Sequence, residues 1–113
     1  MCALCKHTFV SVKGSSYKNF QHALATGNLM LVRAAAAELP SITLDDALTI
    51  CVLLGDQEPH RYEQATVRWL GRFCLEKRDV RLADVRDAAE AFALLPTEPE
   101  RARGTLRELS AGP

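Results

Sequence analysis

The sequence has no apolar run long enough to cross a membrane. The longest apolar stretch, residues 48–54, is interrupted by Thr49 and falls far short of the roughly 20 residues that a spanning helix needs. Near the N-terminus, Lys6 and His7 stand where a secretory signal would carry a continuous apolar segment. We therefore expect a cytoplasmic protein without a membrane partner, in which all four cysteines stay reduced: Cys2, Cys5, Cys51 and Cys74.

Acidic residues are missing from the first third of the chain. No Asp or Glu precedes Glu38, whereas Lys6, Lys13 and Lys18 all lie in this portion. Over the whole chain, fourteen basic residues balance fourteen acidic ones, so no overall field favours nucleic acid or an anionic membrane. The imbalance therefore indicates a short basic arm on an acidic body.

Strand signals are also missing, because no segment alternates polar residues with β-branched or aromatic ones. The class is predicted to be all-α. Residues 1–16 show no helical period and end in a polar run, so we predict a flexible arm there and a single helical domain over residues 17–113. Six helices are predicted, over about 17–26, 29–39, 44–54, 59–77, 82–95 and 98–109.

Local signals mark the ends of these helices. Asn28 is a suitable N-cap for the second helix, and Thr43 with Asp46 resembles a capping box for the third. Gly27 is predicted to end the first helix, and Pro59 occupies a first-turn position of the fourth. Three further residues are predicted as caps, Ser15 or Ser16 for the first helix and Thr97 for the last.

Two segments resemble each other at an offset of 38 residues. ITLDDALTICVLL (42–54) aligns with VRLADVRDAAEAFALL (80–95), so that Leu44 matches Leu82. This layout is typical of stacked antiparallel helical hairpins, as in HEAT or tetratricopeptide repeats. A compact orthogonal bundle is the alternative, since ordinary helix patterns also produce such similarity.

The segment HRYEQATVRWLGRFCLEKR (60–78) contains the only tryptophan. At 100° per residue, a broad apolar arc and a narrow basic arc lie on opposite sides of this helix. The apolar arc is predicted to be the centre of the core; it holds Tyr62, Thr66, Val67, Trp69, Leu70, Phe73 and Cys74. The basic arc is the candidate partner-binding row; it holds Arg61, Arg68 and Arg72.

Catalytic constellations are lacking. The chain has no glycine-rich phosphate loop and no serine elbow. Cys51 and Cys74 both fall on apolar arcs, where burial raises a thiol pKa and opposes nucleophilic chemistry. We therefore predict that the protein is not an enzyme and that it needs no cofactor and no small-molecule substrate.

A zinc site is a minor alternative at the N-terminus. Cys2 and Cys5 form a C-x2-C pair, and His7 and His22 would complete four ligands of the types that structural zinc prefers. No second pair at metal-ligand spacing follows, so no metal is predicted.

Two classes of partner remain. A small helical protein without a catalytic site most simply binds another protein, or itself, through its helix faces. The alternative is salt-dependent contact with nucleic-acid phosphates. That alternative would use the basic arm and the arginine row, with four residues as the candidate phosphate contacts: Lys6, Lys13, Lys18 and Arg68.

The stretches ALATGNL, LPSITLDDAL and RYEQATVRWLGRF resemble those of short helical proteins of actinobacteria, over about residues 17–109. The resemblance implies a bacterial, cytoplasmic setting. It implies no activity and no functional residues.

Overall fold

A computed structural model describes residues 15–111, and every regular element within them is helical. The all-α class is therefore confirmed. The described residues belong to two compact units, residues 15–42 and residues 43–111, so the single domain over 17–113 stays a prediction. In the described part of the chain, no helix is both long and apolar enough to span a membrane.

The first unit contains α1, which is helical over residues 15–26, and α2, Leu29–Ala36. Gly27 ends α1 with a φ of 72°, a left-handed conformation that glycine adopts without steric cost. Asn28 caps α2 as predicted, because its side-chain oxygen accepts hydrogen bonds from Met30 N (3.0 Å) and Leu31 N (3.3 Å).

Two boundaries in this unit differ from the prediction. Residues 15 and 16 are already helical, so neither Ser15 nor Ser16 caps a helix that starts at Tyr17. α2 ends at Ala36, three residues before the predicted end. Its last turn tightens through a Leu39 N–Ala36 O bond (3.0 Å), and Pro40 disfavours helical geometry at the residue before it.

The second unit contains α3 (Leu44–Gln57), α4 (Pro59–Glu76), α5 (Leu82–Leu94) and α6 (Pro99–Ala111). Thr43 caps α3, since its hydroxyl oxygen accepts from Asp46 N at 3.1 Å. Pro59 opens α4 as predicted.

Other ends in this unit were predicted wrongly. The sequence GDQ continues α3 to Gln57, so that Glu58 alone separates α3 from α4. At the start of α6, Pro99 makes Glu98 the residue before the helix, and Ala102 N donates to the Glu98 carbonyl (3.1 Å). The Thr97 hydroxyl instead donates to the Leu94 carbonyl at the end of α5 (3.1 Å).

α3 and α4 form an antiparallel pair. Next to the turn at Glu58, the backbone of Gly55 touches the ring of Tyr62, because a Cβ at Gly55 would lie 3.1 Å from Tyr62 Cδ1. At the far end, Trp69 Nε1 donates to the Leu44 carbonyl oxygen at 2.8 Å. Contacts at both ends require the two helices to run back along each other.

The four helices of this unit enclose one core. α5 packs mainly on α6, and further contacts join α3 to α6 and α4 to α5. This closed ring is a bundle rather than an open stack of repeats. The two similar segments also differ in burial, since Leu44 is buried whereas its counterpart Leu82 is 89% exposed.

Aromatic rings form the centre of that core, as predicted. Trp69 stacks on Phe73 at a centroid distance of 5.5 Å and meets Phe92 edge-on at 5.3 Å. Burial of these rings contributes several kcal/mol to stability, a large share for a domain of this size. The remaining buried members of the cluster come from α3, from α5 and the residue after it, and from α6: Leu44, Leu48, Cys51, Ala88, Ala91, Leu95, Ala102 and Leu106.

Candidate functional site

The outer face of α4 carries the predicted arginine row. Arg61 and Arg68 are exposed, and Arg72 is partly exposed. They lie opposite Trp69 and Phe73, which are buried in the core. The helix period thus separates a basic outer face from the aromatic inner face.

Two arginines of the row form ion pairs on their own helix. Arg61 Nε lies 3.3 Å from Glu58 Oε1, and Arg72 Nε lies 2.6 Å from Glu76 Oε2. These exposed pairs stabilise the helix by only a few tenths of a kcal/mol each. The two glutamates reduce the positive charge of the face. Because the pairs are weak, carboxylates of a partner can replace Glu58 and Glu76 at little cost in free energy.

Arg68 and Leu75 complete this face. Within residues 15–111, the Arg68 guanidinium makes no hydrogen bond or ion pair with a side chain. Leu75 lies seven residues after Arg68, which itself follows Arg61 by seven, so all three share one face. Leu75 is 88% exposed, which places a bare apolar side chain beside the guanidinium groups.

A second feature is an open groove between α4 and α5 with a volume of about 320 Å³. Val67 and Leu70 line its α4 wall, and Ala89 and Ala93 line its α5 wall. Val67 was predicted to belong to the core but is 60% exposed, because the small alanines of α5 do not reach over it.

Tyr62 fixes the end of this groove. Its hydroxyl donates to the Phe92 carbonyl oxygen at 2.6 Å. In a continuing helix that carbonyl would accept from the N–H four residues later, but residue 96 is proline and has none. Burial, followed by the charge of the Cys51 thiolate, raises the pKa of Tyr62 to about 12, so this hydroxyl keeps its proton at neutral pH.

The two cysteines of the second unit lie in different environments. Cys51 is buried as predicted, and burial raises its pKa to about 11, so the thiol is protonated at neutral pH. Cys74 was predicted to be buried but is exposed. It lies near the edge of the apolar arc of α4, beyond the part that the neighbouring helices cover.

The residues of the zinc and nucleic-acid alternatives are only partly described. Cys2, Cys5, His7, Lys6 and Lys13 lie outside the described residues. Lys18 and His22 are exposed on α1. Among residues 15–111, no group of three or more His, Cys, Asp or Glu side chains is arranged to hold a metal ion.

The sequence analysis missed Leu75 and the groove. Leu75 follows Arg61 and Arg68 at seven-residue spacing, so the helical period alone could have placed it on the basic face. The groove carries no such signal, because it depends on which side chains of α5 face α4.

Comparisons with known proteins assign no family to this chain. No protein-family model matches it. Neither a curated protein nor a solved structure matches it.

Proposed function

We propose that this chain is a non-catalytic protein-interaction module that binds an acidic, partly apolar surface of another protein. The binding surface is the outer face of α4. The observation that carries the proposal is the near-complete exposure of Leu75 (88%) on the same face as Arg61 and Arg68.

Arginine is enriched at the energetically important centres of protein interfaces, and the buried core of an interface is more apolar than the rest of the surface. Arg68 presents a planar fork of donors that suits a carboxylate, and within the described chain no acidic side chain occupies it. Leu75 would supply the apolar anchor. Arg61 and Arg72 would exchange Glu58 and Glu76 for carboxylates of the partner.

A non-catalytic role is supported by the state of the buried thiol. Cys51 is the cysteine nearest the core of the second unit, and its raised pKa of about 11 keeps it protonated at neutral pH. A protonated, buried thiol is a poor nucleophile. The bacterial cytoplasm is the setting that we propose, from the resemblance of the sequence.

The experiment is affinity capture from the native cell, with quantitative mass spectrometry of the companions. Arg68→Glu and Leu75→Asp should each reduce capture of the same companion at least tenfold. Arg101→Glu is the matched control, because Arg101 is an exposed arginine on α6 that forms a weak ion pair with Glu98 at 3.7 Å. If both variants capture the companion in the same amount as wild type, the assignment of this face is refuted.

Nucleic acid stays the alternative prediction. The ion pairs of Arg61 and Arg72 reduce the positive potential along α4, which favours a protein partner over phosphates. Salt distinguishes the two: binding to DNA or RNA should fall steeply between about 50 and 200 mM salt, whereas an interface anchored by Leu75 should persist. Measurement by fluorescence anisotropy with labelled DNA and RNA decides between them.

A further inference from the structure

The groove between α4 and α5 has complementary walls. Val67 and Leu70 project from α4, whereas Ala89 and Ala93 leave space along α5. Val67 is 60% exposed, so most of its side chain is accessible to a partner. A projecting side chain next to a wall of alanines is the arrangement that knobs-into-holes packing uses.

Opposite charges mark two diagonally opposite ends of the groove: Glu63 lines it on α4, whereas Arg86 lies beyond the lining residues of α5, on the same helix face as Ala93. Glu63 lies one helical turn before Val67 on α4, and Arg86 lies about one turn before Ala89 on α5. α4 and α5 are antiparallel, because the N-terminal part of α4 contacts the C-terminal part of α5 through the Tyr62 hydrogen bond. The two charges are therefore separated by about 8 Å along the helix axes, with Ala89 roughly midway and Val67 nearly level with Arg86.

Neither charge has a strong partner among residues 15–111. In the described residues, the Glu63 carboxylate makes no ion pair or hydrogen bond. Among the side chains that the structure describes, Arg86 reaches only Asp87, its neighbour in sequence, at 3.5 Å, and the two side chains are 67% and 46% exposed. Such a contact is worth little in water.

We infer that a second copy of this chain binds in the α4–α5 groove. A two-fold axis through the centre of the groove exchanges its diagonal corners. Glu63 of each copy then meets Arg86 of the other, which forms two equivalent ion pairs, and Val67 of each copy lies over Ala89 and Ala93 of the other. A closed, isologous dimer has this symmetry.

The size of the surface sets the expected strength. Two helices about 20–27 Å long and about 10 Å apart offer a footprint on the order of 500 Å² per copy. This area falls at the low end of specific interfaces, so we expect a weak dimer with a Kd in the micromolar range. The surface differs from the Arg68–Leu75 face, so this inference goes beyond the proposed function.

The test is sedimentation equilibrium of the full chain between about 1 and 200 μM. Wild type should show a reversible monomer–dimer equilibrium. Glu63→Arg and Arg86→Glu should each be monomeric, because each change places like charges opposite each other twice. Mixing these two variants should restore a dimer, now a heterodimer, since each copy then offers the charge that the other needs.

Controls separate this interface from loss of folding and from other contacts. Circular dichroism checks that each variant keeps the helical content of wild type, and Arg101→Glu on α6 should leave the dimer unchanged. The double variant Glu63→Arg with Arg86→Glu should dimerise by itself. A wild-type chain that stays monomeric at 200 μM, or two variants that do not associate on mixing, would overturn the inference.

Discussion

Removal of one hydroxyl group tests how the second unit closes. The Tyr62 hydroxyl donates to the Phe92 carbonyl (2.6 Å), and Pro96 deprives that carbonyl of its usual helical donor. Tyr62→Phe therefore removes a partly buried hydrogen bond and takes from the Phe92 carbonyl its side-chain donor. Leaving such a group unsatisfied costs about 1–3 kcal/mol, so we expect a loss of about 2 kcal/mol.

Chemical denaturation and calorimetry measure this loss. For a chain of this size, about 2 kcal/mol corresponds to a fall in Tm of roughly 8 °C. The phenylalanine ring should keep its place against Gly55, since only the hydroxyl is removed. The denaturant dependence of the unfolding free energy should stay the same, because the surface exposed on unfolding barely changes.

A double-mutant cycle tests the role of Pro96. Pro96→Ala restores an N–H that can reach the Phe92 carbonyl, since Leu95 keeps helical backbone angles (φ −51°, ψ −43°). In that background, Tyr62→Phe should cost about 1 kcal/mol or less. An unchanged cost of Tyr62→Phe in both backgrounds would refute the argument that the proline creates the need for the hydroxyl.

Two further predictions concern the same unit. Gly104→Ala should raise stability by about 1 kcal/mol, because a Cβ at this position meets nothing within 4 Å. Gly55→Ala should lower stability, because its Cβ would lie 3.1 Å from the anchored Tyr62 ring. Equilibrium urea unfolding measures both effects, and a Gly55→Ala variant more stable than wild type would contradict the prediction. The pKa of Cys51 is raised from 9.0 to about 11 by burial, so its contribution to stability is complete below pH 9 and disappears as the pH rises through 11. Stability measured from pH 8 to 11 should fall by roughly 2 kcal/mol more in wild type than in Cys51→Ala, and parallel curves would contradict it.

Local chemistry predicted most helix starts but fewer helix ends. Asn28, Thr43 and Pro59 act on backbone groups within one turn, so their roles follow from the sequence around them. The end of α3 depends on packing against α4, because Gly55 continues the helix where the Tyr62 ring lies close to it. Packing between two helices is not visible in the capping and turn residues from which a helix end is predicted.

Of the candidate site, the sequence predicted the arginine face but not the apolar surface around it. The period of α4 separates Arg61 and Arg68 from Trp69 regardless of what packs on the helix. The exposure of Val67 and Cys74 depends on which neighbours cover the edges of the apolar arc. The sequence shows how broad the apolar arc of α4 is, but it does not show how much of that arc the neighbouring helices cover.

The sequence by itself determined that this protein is helical and that the aromatic side of α4 faces inward, because periodicity and capping act within a few residues. Only the tertiary structure decided that four helices close into a bundle and that Tyr62 completes the hydrogen bonding of α5. It also decided that Glu63 lines a groove between α4 and α5. These features join residues far apart in the chain, so they depend on packing between helices rather than on any local preference.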